Sequence, residues 1–260
     1  MLLRRLLSLL PESAKRRIRN YRAGTPVDDL DLVRAYLEEV GVEKGTLVDV
    51  GAHVGTSLLP FARTGWQVHA FEPDAVNRRQ LLDLIAKEGL ATVRVDARAV
   101  ADRHGEVSFY RSDVSSGISG LSNFHDSHTE AGKVALVPLR DYLRDHGVAT
   151  VDCLKIDTEG HDLFVLQSLD WATHRPRAVV CEFEDRKTEP LGYTVRDLHA
   201  YLTARGYGVL ISEWHPIVEY GQQHRWRQFT TELDDLGKRA WGNLLAVPER
   251  ELGVLRGLVP

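Results

Sequence analysis

The stretch LVDVGAHVGTS, residues 47–57, decides the fold of this chain. The apolar, β-branched run Thr46–Val50 predicts a buried strand. After it the chain turns at Gly51 and Gly55 and enters a predicted helix over residues 57–63. A buried strand that turns at a glycine into a helix is the repeating unit of α/β domains, so the same unit is expected on both sides of this stretch.

The alternation of strands and helices continues as far as residue 247. Short buried strands that are spaced by helices predict a mostly parallel sheet with helices on both faces. We therefore predict an α/β fold with a doubly wound sheet and an inserted hairpin. The predicted strands span 46–50, 67–71, 92–95, 153–156, 178–183, 207–212 and 243–247, and the hairpin strands span 106–111 and 133–138. The predicted helices span 28–40, 57–63, 75–88, 139–146, 161–169 and 195–205, with Leu81, Leu82 and Ile85 facing inward.

Segment 115–132, SSGISGLSNFHDSHTEAG, lies between the two hairpin strands. It is rich in Ser, Gly and His and has no clear period. Loops of this length inside a compact domain are usually functional lids or disordered. We predict that it is a lid, with His125 and His128 in solvent; the alternative is that they contact the acceptor.

Composition excludes several classes of protein. The 260 residues are 43% hydrophobic and 27% charged, as in ordinary globular domains. No apolar run reaches the roughly 18 residues that cross a bilayer. A net charge of −4 argues against a nucleic-acid partner. Cys153 and Cys181 lie in apolar segments and are predicted to be reduced core thiols, which indicates a cytoplasmic protein.

Residues 1–45 are predicted to be an N-terminal helical extension ahead of one domain over residues 46–250. Leucines at helical spacing predict a short amphipathic helix over residues 2–10. Residues 1–22 carry a charge of +6, against −10 for the rest of the chain. Two placements stay open for this basic segment: weak contact with the inner face of an anionic membrane, or packing on the domain or on a partner subunit of a homo-oligomer.

Two motifs point to an adenosine cofactor. Gly51 lets a ligand approach the backbone, and Gly55 lets the following helix pack close to the sheet. Glu72 ends the second predicted strand, 21 residues after Gly51, where a carboxylate can accept hydrogen bonds from both ribose hydroxyls. His53 stands where a dinucleotide fingerprint has glycine, so a pyrophosphate would be crowded. S-adenosylmethionine is therefore favoured over a nicotinamide dinucleotide.

With these motifs in place, the chain resembles the FkbM family of S-adenosylmethionine-dependent methyltransferases. The matching strings follow the family's order over residues 46–247: LVDVGAHVGTS (47–57), AFEPD (70–74), ARAVADRHGEVSFY (97–110), DCLKIDTEGHDLFVLQSL (152–169), VVCEFE (179–184) and WGNLLA (241–246). The resemblance implies the class I methyltransferase, Rossmann-like fold. It also implies an O-methyltransferase whose acceptor is a hydroxyl of a glycan or a glycosylated natural product.

The resemblance also assigns individual residues. It puts Gly51 and Gly55 at the methionine end of the cofactor and Glu72 at the ribose. We complete the predicted cofactor-binding set with Asp49, His53 and Ala97, which lie in the matching strings.

Acidic residues follow two of the later predicted strands. Ligands of open α/β sheets bind beyond the carboxyl ends of the strands. Asp157, Glu159 and His161 come just after the strand over 153–156, and Glu182 lies at the end of the next strand. The resemblance puts Asp157 and Glu159 at the acceptor side. We predict Asp157, Glu159 and His161 as catalytic candidates.

Two catalytic schemes stay open for these residues. A carboxylate or a histidine can take the acceptor's hydroxyl proton as a general base. Asp157, Glu159 and Glu182 could instead bind Mg²⁺ through hard oxygen ligands. A structural reading also stays open, in which Glu159 caps a helix and Asp157 orders backbone N–H groups.

The aromatic segment 213–229 supplies candidates for the acceptor. An indole can stack on the apolar C–H face of a sugar, so Trp214 and Trp226, together with Glu182, are predicted to bind the acceptor. The alternative is that these aromatic rings close the core.

Two other functions compete with methyl transfer. The first is a nicotinamide-dependent oxidoreductase, against which His53 and the lack of an obvious Tyr-x-x-x-Lys relay speak. The second is a non-catalytic, adenosine-binding partner protein. Asp157 and Glu159, beside an intact cofactor motif, speak against it.

Overall fold

The computed structural model describes residues 27–220 and 224–259. The predicted helix over 2–10 and the basic segment 1–22, with its expected membrane or subunit contact, lie outside the described residues. The helices α1 to α8 are Asp29–Glu39, Leu59–Arg63, Ala75–Glu88, Leu139–Asp145, Asp162–Ser168, Asp185–Thr188, Val195–Thr203 and Leu252–Gly257. The strands β1 to β11 are Thr46–Val50, Gln67–Phe71, Val93–Asp96, Ala99–Val100, Gly105–Ser112, His128–Val137, Cys153–Ile156, Ala178–Glu184, Tyr207–Trp214, Trp226–Thr230 and Trp241–Pro248. No helix within these ranges is long and apolar enough to cross a membrane.

Eight strands form the central sheet, in the order β10-β9-β11-β8-β7-β1-β2-β3. The five strands from β8 to β3 run parallel, whereas β11 is antiparallel to both of its neighbours and β10 is antiparallel to β9. The predicted doubly wound, mostly parallel α/β fold is confirmed. The strand order reverses between β1 and β7, which is where a ligand crevice is expected.

Helices cover both faces of the sheet, as predicted. One apolar layer contains residues of α1, α2, α3 and α8, and the other contains residues of α4, α5 and α7. Helix α1 begins where the Asp28 carboxylate accepts hydrogen bonds from the N–H groups of Leu30 and Asp31. Leu32 and Tyr36 of this helix are buried, so α1 is part of the domain core and its first turn is held at the sheet.

The inserted hairpin lies in a second sheet of three strands, in the order β4-β6-β5. Its strands are longer than predicted, and the second begins at His128, inside the predicted lid. The prediction that His128 lies in solvent is wrong: its ring is buried, and Nε2 makes a 2.9 Å hydrogen bond with the carbonyl of Ile118. His125 is half-buried and bonds to the hydroxyl of Ser127 through Nδ1.

Three further differences concern helices. Leu82 is 46% exposed, so its predicted inward position is wrong. The helix after β1 begins at Leu59 instead of residue 57, because the Ser57 hydroxyl donates to Asp49 Oδ2 at 2.6 Å and keeps that part of the turn irregular. The sequence analysis also missed two helices, α6 and α8, and two strands, β4 and β10, all of which are short and carry little periodicity.

Candidate active site

A cavity of about 1130 Å³ opens at the carboxyl edge of the sheet. Small-ligand pockets typically measure roughly 300–1,000 Å³, so this cavity has room for a cofactor and a second ligand. Predicted site residues that line it are Gly51, His53, Glu72, Asp157, Glu159 and Trp214. Predicted site residues outside its lining are Asp49, Gly55, Ala97, His161, Glu182 and Trp226.

The two glycines of the turn after β1 are needed for contacts within the protein. Gly51 has φ of 80°, and a Cβ there would lie 1.8 Å from the carbonyl oxygen of Asp157. Gly55 has φ of 90°, and a Cβ there would lie 2.6 Å from Leu81 Cδ1. Gly55 therefore lets the turn pack closely against α3; its predicted role in packing the following helix on the sheet stays a prediction.

Glu72 ends β2 with both carboxylate oxygens held by backbone donors. The N–H of His53 donates to Oε2 at 2.7 Å, and the N–H of Asp74 donates to Oε1 at 2.8 Å. Burial raises the pKa of Glu72 to about 7, despite these two hydrogen bonds. A carboxylate oxygen can accept more than one hydrogen bond, so Glu72 retains capacity for ribose hydroxyls.

Apolar side chains also line the cavity. Phe71, Ala99, Val100 and Phe109 line it together with Glu72. An apolar wall with a carboxylate beside it suits an adenine ring and its ribose. These residues fit S-adenosylmethionine as predicted. Ala97 is exposed beyond β3 and lies outside this wall.

A buried lysine that the sequence analysis missed supports the turn. Lys155 Nζ donates to the carbonyl of Gly51 at 2.6 Å and lies 3.1 Å from Asp49 Oδ1 and 3.6 Å from Asp157 Oδ2. Although burial opposes its charge, Asp49 and Asp157 hold the pKa of Lys155 above its ordinary value. Asp49 is thus an internal partner of Lys155 beneath the cavity. The available signal was a lysine inside an otherwise apolar strand.

Asp157 and Glu159 both line the cavity but have different surroundings. The Asp157 side chain is 44% exposed. Glu159 is buried, has φ of 57°, and places Oε2 2.6 Å from Lys187 Nζ. Burial raises the pKa of Glu159, and Lys187 acts in the opposite direction. Asp157 is therefore the carboxylate that an acceptor can reach more easily.

Lys187 is the centre of a buried charge cluster. Its Nζ lies 3.2 Å from Glu182 Oε2 and 3.0 Å from Glu184 Oε2, in addition to its contact with Glu159. The side chain is only 2% exposed. One ammonium group thus faces three carboxylates, and burial raises the pKa of Glu182 well above its ordinary value. Sequence reasoning missed Lys187, because nothing in its local sequence distinguishes it from a surface lysine.

This lysine bears on the predicted magnesium site. Carboxylate oxygens of Asp157, Glu159 and Glu182 lie within 4.8 Å of one another, a spacing that a metal ion could bridge. However, the ammonium of Lys187 already contacts two of these carboxylates, those of Glu159 and Glu182, and occupies the side from which a metal ion would bind them. A second cation on the same carboxylates would be repelled at short range. The residues therefore do not fit Mg²⁺ in this arrangement.

Three other predicted residues lie away from the cavity wall. His161 packs against Phe164, with ring centroids 5.6 Å apart, and burial lowers its pKa to about 4. Trp226 packs against Phe229, with centroids 5.2 Å apart. Glu182 lies in the Lys187 cluster. The structure thus brings Asp157, Glu159 and Trp214 to the cavity but not His161 or Trp226.

Part of the predicted lid forms one side of the cavity. Ser116 Oγ and His53 Nε2 are hydrogen-bonded at 2.8 Å. Gly117, Gly120 and Leu121 also line the cavity. Segment 115–132 is therefore in position to cover a ligand, although its closure stays a prediction.

Comparison with known proteins relates the chain to methyltransferases. The sequence model described as "Methyltransferase FkbM domain" matches residues 49–209, more than half of the chain. The "31-O-demethyl-FK506 methyltransferase FkbM" of Streptomyces tacrolimicus is 29% identical over 229 residues, which cover 74% of this chain and 84% of that protein.

Two solved structures show a looser likeness. The precorrin-6Y C5,15-methyltransferase of Geobacter metallireducens has a TM-score of 0.46 and 11% identity, over 83% of this chain and 87% of that one. An rRNA methylase of Streptococcus thermophilus has a TM-score of 0.47 and 10% identity, over 86% of this chain and 98% of that one.

Proposed function

Because this chain belongs to the FkbM methyltransferase family and is an S-adenosylmethionine-dependent methyltransferase, we propose that it methylates a hydroxyl oxygen of a glycan or glycosylated natural product. The name of the Streptomyces tacrolimicus relative specifies a 31-O-demethyl substrate, which supports oxygen as the methylated atom. The buried free thiols of Cys153 and Cys181 support a cytoplasmic location.

Bound S-adenosylmethionine supplies a methyl group on a positively charged sulfur, which is a good leaving group. The protein's task is therefore to orient the acceptor and to remove its hydroxyl proton. A neutral hydroxyl is a poor nucleophile, so a base near the cavity surface is the main chemical requirement.

Asp157 is the residue that we assign to this base. Its carboxylate lines the cavity at the end of β7 and is 44% exposed, and this observation carries the proposal. Its Oδ2 also lies 3.6 Å from Lys155 Nζ, a contact that positions the carboxylate at the cavity wall. The proton of the acceptor hydroxyl passes to Asp157 as the oxygen is methylated.

Glu159 has the supporting role in this scheme. One of its oxygens is held by Lys187, so its side chain has a fixed position in the cavity wall. A fixed, buried carboxylate can accept a hydrogen bond from the acceptor and orient it. Glu159 is therefore proposed to orient the acceptor while Asp157 takes the proton.

The substitution Asp157→Asn tests the proposal, since it keeps the shape of the side chain and removes the base. With glycan extracts from cells that lack the gene as acceptor, formation of S-adenosylhomocysteine should slow by roughly 100- to 10,000-fold. Affinity for S-adenosylmethionine, measured by calorimetry, should barely change. Asp83→Asn, on the exposed surface of α3, is the matched control and should have no effect.

Two results would contradict this function. Full turnover by Asp157→Asn would remove Asp157 as the base and leave Glu159→Gln as the next variant to measure. Mass spectrometry that finds the new methyl group on nitrogen or carbon, or on a molecule without sugar, would refute O-methylation of a glycan.

A further inference from the structure

The cavity extends well beyond the cofactor end. Glu72 follows β2, and Asn243 lies on β11, four strands away in the sheet. At about 4.8 Å per strand, this separation is roughly 19 Å. Both residues line the same cavity, which also passes Gly51 and Asp157 on the strands between them. The cavity thus has a second end that an adenosine at Glu72 leaves open.

Two polar side chains from distant parts of the chain meet at this second end. Asn243 Nδ2 donates to Asp29 Oδ2 at 2.8 Å, which joins the first turn of α1 to β11. Burial raises the pKa of Asp29 to about 6, although hydrogen bonds from Asn243 and Ser212 lower it. Asp29 and Asn243 both contribute to the cavity wall. A fixed carboxyl and amide therefore face the interior of the cavity.

The register of the sheet connects this pair to the reaction centre. Asn243 is paired with Glu182 across β11 and β8. Directly paired residues share one face of a sheet, with Cβ atoms about 4.5–5.5 Å apart. Glu182 contacts Lys187, which in turn holds Glu159. A ligand at Asn243 would therefore lie beside the carboxylates at which the acceptor is methylated.

An indole completes the second end. Trp214, the last residue of β9, lines the cavity. Its ring lies 5.5 Å from that of Trp241, whose Nε1 donates to the carbonyl of His215 at 2.8 Å. The contact with Trp241 holds the ring of Trp214 in place. The ring can therefore bind a ligand with its apolar face and lose little conformational freedom.

We infer that Asp29, Asn243 and Trp214 form a subsite for a neutral sugar ring of the acceptor, an inference that rests on the proposed function. The amide of Asn243 and the carboxyl of Asp29 can together donate to and accept from neighbouring hydroxyls. The indole of Trp214 suits the apolar C–H face of the same ring.

The charge of the wall selects a neutral ring. Neither Asn243 nor Trp214 carries a charge, whereas the carboxyl of Asp29, whose pKa burial raises to about 6, is largely ionised at pH 8. An anionic group such as a phosphate would be repelled by this carboxylate. The subsite should therefore discriminate against phosphorylated sugars.

Binding of simple glycosides tests the subsite without any methyl transfer. The probes are methyl α-D-glucopyranoside, methyl α-D-mannopyranoside and methyl β-D-galactopyranoside, added at millimolar concentration to the protein saturated with S-adenosylhomocysteine. Saturation-transfer NMR with irradiation of aromatic resonances should reach the ring protons of at least one glycoside. Glucose 6-phosphate should give a weaker effect.

Variants assign this binding to the subsite. Trp214→Leu and Asn243→Ala should each weaken the glycoside at least tenfold while affinity for S-adenosylhomocysteine stays unchanged. Trp226→Leu is the matched control, because Trp226 is paired with Trp214 across β10 and β9 but lies outside the cavity lining. It should bind the glycoside like the unaltered protein.

Several outcomes would overturn the inference. These are no transfer to any of the three glycosides, unchanged binding by Trp214→Leu, equal losses in Trp214→Leu and Trp226→Leu, or tighter binding of the phosphate. The measurement on the unaltered protein stands even if a variant fails to fold. Asp157→Asn should bind the glycoside normally, so failure of the subsite and failure of the proposed base are distinguishable.

Discussion

The N–H of His53 donates a hydrogen bond to Glu72 Oε2 at 2.7 Å and so joins the turn after β1 to the end of β2. His53 adopts φ of 50°, a left-handed conformation that residues other than glycine seldom adopt. Such a conformation costs on the order of 1 kcal/mol and persists where surrounding contacts fix it. The carboxylate of Glu72 is thus oriented by one backbone bond from the glycine turn and one from Asp74.

Cofactor affinity should depend on pH through Glu72. Burial raises its pKa to about 7 in the ligand-free protein, so the carboxyl is largely protonated at pH 6 and ionised at pH 8. The ionised form accepts hydrogen bonds from ribose hydroxyls and attracts a cationic cofactor. Calorimetry should find that affinity for S-adenosylmethionine increases from pH 6 to pH 8. Glu72→Gln should weaken binding by about 1–3 kcal/mol at pH 8 and remove this dependence. Equal affinities for the variant and the unaltered protein would exclude Glu72 from the cofactor site.

Glu72 should also make the free energy of unfolding depend on pH, and this free energy should fall with rising pH whereas cofactor affinity rises. The folded protein retains a proton on Glu72 between its ordinary pKa of 4.5 and its raised pKa of about 7, whereas the unfolded chain has lost it. The free energy of unfolding therefore falls as pH rises through this window, by up to about 3 kcal/mol from this group. Urea unfolding without ligand should find Glu72→Gln stabilised relative to the unaltered protein at pH 8, and the difference should vanish near pH 4.5. If the difference in unfolding free energy between the two proteins does not change with pH, the raised pKa of Glu72 is contradicted.

Gly51 and Gly41 allow a matched comparison of two glycines with positive φ. Their φ values are 80° and 84°, but a Cβ at Gly51 would lie 1.8 Å from the Asp157 carbonyl oxygen, whereas a Cβ at Gly41 would meet nothing within 4 Å. Gly41→Ala should cost about 1–2 kcal/mol from backbone conformation alone. Gly51→Ala should cost at least about 2 kcal/mol more, because the end of β7 must move. Urea unfolding measures both. Equal losses of unfolding free energy in the two variants would mean that the end of β7 moves aside without added strain.

Local sequence patterns predicted the strands and turns whose bounds depend mainly on neighbouring residues. Strands β1, β2 and β7 have the predicted bounds, because each is a short apolar run between turn-forming residues. Glu72 was found because its position relative to the glycine turn is fixed by the strand–turn–helix unit. Leu82 was misplaced because an apolar residue can lie one position off the buried face of a helix.

Contacts between distant residues could not be predicted in this way. Asn243 and Asp29 are 214 residues apart, and nothing near either residue indicates the other. Lys187 lies in a four-residue helix with no period, and only the folded chain places its ammonium among three carboxylates. The fold thus brings the predicted metal ligands together, but it also places among them a cation that no local pattern predicts.

Ligand binding should protect the predicted lid from proteolysis. Leu121 lines the cavity, and the nearby Ser116 is bonded to His53. A ligand in the cavity would restrict the opening that chymotrypsin needs in order to cleave after Leu121 or Phe124. S-adenosylhomocysteine should slow cleavage at these bonds, followed by mass spectrometry of the fragments. Ser116→Ala removes the contact with His53 and should speed cleavage of the ligand-free protein. Identical cleavage rates in all samples would make segment 115–132 a passive loop.

Removal of the Lys187 ammonium should both destabilise the protein and create a metal site. In Lys187→Met, the buried carboxylates of Glu159 and Glu182 lose their common cation, which should cost about 3–5 kcal/mol at pH 8. The loss of stability should shrink as pH falls, because carboxyl groups with a raised pKa take up protons and no longer need the cation.

Mg²⁺ should raise the melting temperature of Lys187→Met, since carboxylate oxygens of Glu159, Glu182 and Asp157 lie within 4.8 Å of one another. The unaltered protein should respond neither to Mg²⁺ nor, in its activity, to a chelator. Lys133→Met, on the exposed surface, controls for loss of charge. Loss of wild-type activity on chelation, restored by Mg²⁺, would show that a metal displaces Lys187 in the working enzyme.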